Sequence, residues 1–123
     1  APPPPAAAVS GAPSGPLVLA TGSLRGIGHR ASGPVSTYRL ADGAMVVRFE
    51  GVDIENAPDP LVYLVPGAGR TSPGDGVRLG ALKASRGSFG FQVPAGFDTR
   101  SAFTVLVWCG KFATPIATTT QAG

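Results

Sequence analysis

From Leu17 onward the chain alternates short apolar runs with clusters of glycine, proline and aspartate. No window carries a 3.6-residue apolar period with caps, so the pattern predicts strands and turns throughout. Strands are expected over Leu17–Gly26 with a break near Gly22, and over Val35–Leu40, Ala44–Phe49, Leu61–Val65, Val77–Leu82, Ser88–Val93, Phe103–Cys109 and Phe112–Thr118. Asp42-Gly43 between two of these runs is a hairpin signal. The prolines of Asn56–Pro60 mark a loop outside any ladder, and the Gly/Pro-rich Pro66–Gly76 reads as a flexible loop. Along Phe103–Cys109, Phe103, Val105, Val107 and Cys109 point one way, and Thr104, Leu106 and Trp108 the other. Both faces carry bulk, which predicts a central strand covered on both sides. The fold class that follows is all-β, an antiparallel sandwich or sandwich-like barrel of about eight strands.

The two ends of the chain break this pattern. Residues 1–16, APPPPAAAVSGAPSGP, have no charge and little apolar bulk. Such a segment cannot offset its ordering entropy and is expected to be a disordered, partly polyproline-like spacer. The β domain then spans residues 17–118, and residues 119–123 are expected to fray. No apolar run approaches the roughly 18 residues of a membrane helix.

Charge removes one class of function. The ten Lys and Arg residues give a net charge of +3 but are scattered, with no aromatic ladder beside them, so no nucleic-acid surface is expected. Loose attraction to an anionic wall or membrane surface is compatible with that balance. The acidic group Glu50, Asp53, Glu55 and Asp59 lacks calcium-loop spacing and reads as a solvated loop, with calcium the alternative.

The sequence has one Cys, one His and one Met. A structural zinc site, a blue-copper centre and c-type haem attachment each need more ligands, so no metal site is expected within one chain. No nucleophile elbow, zincin helix or phosphate loop is present. Cys109 therefore carries whatever chemistry the chain has, and it admits two readings. It is a small core hydrophobe in phase with Phe103, Val105 and Val107. Alternatively, it is a strand-end thiol opened by Gly110 and activated by a cation such as Lys111. His29, in the glycine-flanked Gly26–Arg30, supports catalysis only if the fold brings it to Cys109. The aromatics Tyr38, Tyr63, Phe89, Phe91 and Trp108 are expected in the core, with a ligand platform as the alternative. An enzyme acting on its own is not expected.

The order of short motifs adds a resemblance. Gly22-Ser23-Leu24 leads to His29 and Gly33. The Asp42-Gly43 hairpin, Pro58-Asp59-Pro60-Leu61-Val62-Tyr63-Leu64, Leu79-Gly80-Ala81-Leu82-Lys83, Arg86-Gly87 and Val93-Pro94-Ala95-Gly96 follow. Val107-Trp108-Cys109 and Phe112 close the series. This series resembles the DM13, or electron-transfer DM13, family from about Gly22 to Thr118. The resemblance implies a β-sandwich-like domain outside the plasma membrane. It also implies a redox role for the cysteine, as a bare thiol or through a bound group such as haem. Cys109 matches the family cysteine and His29 a frequent family histidine, with Trp108 and Lys111 as supporting neighbours. A domain with no cytochrome or DOMON module beside it, behind a Pro/Ala spacer, looks like a bacterial lipoprotein or a secreted protein. Its lipid-bearing cysteine would lie before Ala1. The expected partners are a redox protein or a component of the cell envelope, with membrane association only through such an anchor.

Overall fold

A computed structural model describes residues 16–122, and the spacer expected at residues 1–16 lies, except for Pro16, outside the described residues. Two antiparallel sheets face each other, and no helix occurs among the described residues. The first sheet holds β1 (Leu17–Ser23), β3 (Ala31–Ser32), β4 (Pro34–Arg39), β5 (Met45–Ile54) and β8 (Arg86–Gln92). The second holds β2 (Arg25–Gly26), β10 (Thr114–Gln121), β9 (Phe103–Cys109), β6 (Pro60–Pro66) and β7 (Val77–Ala81), in that spatial order. The expected all-β sandwich is therefore present. It has ten strands rather than about eight because β2 and β3 are two-residue strands with too few positions to show alternation.

The break in the first expected strand falls at Leu24, not Gly22. Leu24 is buried and its N–H bonds to Gly33 O at 2.9 Å, after which Arg25–Gly26 pair with Thr118 and Ala117 of the other sheet. Gly22 has a different task. A Cβ there would meet Thr119 Oγ1 at 2.5 Å and Thr120 O at 2.7 Å, so glycine lets β1 pass close against β10.

The β4–β5 hairpin forms where Asp42-Gly43 announced it. Gly43 takes φ 91°, and the Asp42 carboxylate accepts the Ala44 N–H at 3.0 Å. From the hairpin, Val47, Phe49, Val52 and Ile54 face inward to meet Val62, Leu64, Phe103, Val105 and Val107 of the second sheet. Phe49 stacks on Phe89 with centroids 4.9 Å apart. Each such fully buried side chain contributes about 1.5–3 kcal/mol of transfer free energy.

β9 lies between β10 and β6, as its two-sided bulk required. Thr104 and Leu106 on its outer face are fully buried. The segment read as a flexible loop folds over that face. Thr104 Oγ1 accepts the Arg70 N–H at 3.0 Å and donates to Gly67 O at 2.8 Å, while the Gly69 N–H donates to Thr120 Oγ1 at 3.0 Å. The expected frayed tail is also ordered through Gln121. That residue is buried, accepts from Thr37 Oγ1 at 2.8 Å and donates to Val35 O at 3.0 Å, tying β10 to β4. Its polar head, which suggested solvent, is satisfied inside.

Candidate functional site

Cys109 closes β9, with Pro60 of β6 on one side and Thr114 of β10 on the other. Its alternation with Val105 and Val107 turns the sulfur inward, and only 2% of the residue is exposed. Above it, the chain linking β5 to β6 turns through Pro58 and Asp59. Asp59 adopts φ 51°, a left-handed conformation that aspartate tolerates. This turn presents the Pro58 carbonyl to Cys109, whose S–H donates to it at 3.1 Å. Two further bonds fasten the turn, Gly110 N–H to Asp59 O at 2.9 Å and Leu82 N–H to Pro60 O at 2.9 Å. Pro58 and Asp59 are themselves exposed. The thiol thus lies beneath a cap one segment thick.

The cap fits tightly because residue 110 is glycine. A Cβ there would lie 2.3 Å from Asp59 Oδ2 and 2.9 Å from Leu61 Cδ1. The glycine that suggested an opening beside the sulfur instead makes room for the Asp59 and Leu61 side chains. Sequence reasoning missed Pro58. Its proline marked a loop, but no local signal tells that its carbonyl meets a sulfur 51 positions away.

The other candidates stand apart from the sulfur. His29 Nδ1 lies 3.4 Å from Glu55 Oε2, an ion-pair distance with no well-aligned hydrogen bond. Glu55 Oε1 accepts the Arg30 N–H at 2.8 Å. That amide and the His29 contact hold the Glu55 carboxyl below its ordinary range. Trp108 is half-buried on the opposite face of β9. Lys111 is exposed, with Nζ 5.7 Å from the Phe112 ring centroid. Among the described residues, Pro58 O is the one hydrogen-bonding partner of Sγ; no cation and no imidazole reaches it.

Of the acidic group, Glu55 and Asp59 lie exposed in the loop as expected, but the other two do not. Glu50 and Asp53 sit on β5, paired with Arg48 at 2.7 Å and with Arg30 at 2.8 Å and Arg86 at 3.3 Å. The hydrogen bond from Arg30, with the charges of both arginines, holds the Asp53 carboxyl low. No group of metal-binding side chains forms among the described residues.

A family model described as electron transfer DM13 matches residues 23–119, from the end of β1 almost to the end of β10. The chain belongs to the DM13 family. No curated protein and no solved structure matches it. In this DM13 domain, haem ligation by Cys109 does not fit the arrangement described. Sγ is enclosed by the core and bonded to a carbonyl, and only 2% of the residue is exposed. Axial ligation requires an open approach to the sulfur. The site holds a reduced thiol away from solvent, with the exposed Pro58–Asp59 turn as the one segment over the sulfur.

Proposed function

We propose that this protein is an extracytoplasmic redox accessory module whose working group is the bare Cys109 thiol, exchanged with a disulfide of a partner. The observation that carries this reading is the single exposed turn over Sγ, in a chain of the electron-transfer DM13 family. Electron transfer by a lone thiol takes the form of exchange. Sγ attacks one sulfur of the partner disulfide, an S–S bond forms to Cys109, and the partner's S–S bond breaks. The departing sulfur leaves with the bonding pair and takes up the proton that Cys109 gives up. The Pro/Ala-rich residues before Leu17 suit a spacer that holds the domain away from a membrane or wall, whether the protein is secreted or anchored.

The test is to mix the native protein with an aromatic disulfide and follow the thiolate released. One equivalent per chain should appear without denaturant, at a rate that levels off with reagent because opening of the cap limits it. Gly110→Ala, whose Cβ presses on the Asp59 side chain of the cap, should react faster. A protein inert until it is unfolded contradicts the proposal.

A second reading draws on the burial of Cys109 among Val105, Val107 and Ile116. On that reading the cysteine is a packing residue of a non-catalytic envelope module, structural or ligand-binding. It gains support if a Cys109→Ala protein keeps its cellular role.

A further inference from the structure

At the end of the sandwich remote from Cys109, β4 finishes at Arg39 opposite Met45, where β5 begins. The chain after β8 wraps past this corner before entering β9 at Phe103. Between them lies a cleft of about 630 Å³, within the range of small-molecule sites. Leu19, Met45 and Phe97 supply its apolar wall. That wall is firmly backed: Met45 and Phe97 pack on the core, and Phe97 meets Phe103 edge-on with centroids 5.3 Å apart. Thr99 Oγ1 donates to Met45 Sδ at 3.2 Å, which orients the thioether.

The rim is cationic. Arg39 lines the cleft and makes no ion pair among the described residues. Arg100 is 94% exposed and sits 3.5 Å from Asp98. The Asp98 carboxylate also accepts the Arg100 backbone N–H at 2.9 Å, so it is engaged within its own loop. Two arginines against one carboxylate leave one positive charge beside an apolar wall.

We propose that this cleft binds a compact amphipathic carboxylate, its apolar body on Leu19, Met45 and Phe97 and its anionic head on Arg39. A neutral body of the same size gains the wall and loses the head. A highly charged polyanion gains a single unpaired cation and desolvates to no purpose on the wall. Arg100, so exposed, is free to turn onto the head once a ligand is seated. This site is independent of the thiol. Its wall reaches the first residue of β9, and Cys109 is the last, about 20 Å away at strand rise.

The chain contains one Met and one Trp, which makes the test selective. The Met45 methyl resonance reports the cleft wall, and the Trp108 indole resonance reports the far end. Sub-micellar octanoate should shift the Met45 methyl saturably and leave the indole unmoved. Octanol should bind more weakly, by up to about fivefold, the scale of one exposed ion pair. Arg39→Gln should bring octanoate down to the level of octanol. An unmoved Met45 methyl, equal binding of octanol and octanoate, or a Trp108 shift that follows that of Met45 would each overturn the proposal. The octanol comparison on the unaltered protein decides the matter even if the Arg39 variant folds poorly.

Discussion

The two ends of β9 are closed in opposite ways. At Cys109, the short Glu55–Asp59 link crosses from one sheet to the other, lays the Pro58 carbonyl on the sulfur and seals the core. At Phe103, the longer Val93–Ala102 link swings wide and leaves Met45 and Phe97 lining an open cleft. The same two sheets thus end in a lid at one edge and a receptacle at the other. Connection length, more than residue chemistry, separates the covered thiol at one end from the open cleft at the other.

The largest expected effect is common to both ends. Phe49 is fully buried between them and stacks on Phe89. Phe49→Ala should cost about 3–5 kcal/mol in urea unfolding. It should raise Cys109 reactivity only in step with the unfolded fraction. Cys109→Ala should cost less, about 1–3 kcal/mol, because it leaves the Pro58 carbonyl without its donor. Here the ends separate: hydrogen exchange should quicken at the Gly110 amide, which bonds to Asp59 O, while the Met45 methyl resonance stays in place. Gly110→Ala, with its Cβ forced against Asp59, should cost about 1 kcal/mol and accelerate disulfide exchange several-fold. Equal acceleration in a variant of the open end, such as Arg39→Gln, would remove the distinction between the ends.

How far the sequence reveals these ends depends on range. The bounds of Phe103–Cys109 and the Asp42-Gly43 turn are legible in the sequence, because alternation and turn chemistry are local. Thr119–Gln121 read as tail because a polar side chain looks solvated until Thr37 and Val35 are brought to it. Leu24 looked like the middle of a strand because nothing beside it tells that the chain changes sheets there. Cys109 stands out in the sequence as the lone thiol, but its cap comes from Pro58, far away in sequence. The cleft is likewise assembled from β1, the β4–β5 corner and Phe97–Arg100, none of which carries a motif. His29, a candidate partner for Cys109 from sequence, instead contacts Glu55.

The smallest expected effect is that of acid. Asp53 and Glu55 near the lid, and Asp98 at the cleft, are all held below their ordinary carboxyl values. A depressed carboxyl contributes stability above its ordinary pKa, and that contribution fades as pH falls through the lowered value. The urea midpoint should therefore be flat above about pH 5 and decline below it. Asp53→Asn should flatten part of the decline, and Asp98→Asn another part.

Exchange at Cys109 requires the lid to open by itself, without unfolding of the sandwich. The direct measurement is the rate at which an alkylating reagent labels Cys109 across a series of sub-denaturing urea concentrations. Local opening predicts a rate nearly independent of urea until the unfolding transition begins. A rate that climbs from the lowest urea with the full slope of global unfolding would contradict it, and would leave Cys109 as a packing residue.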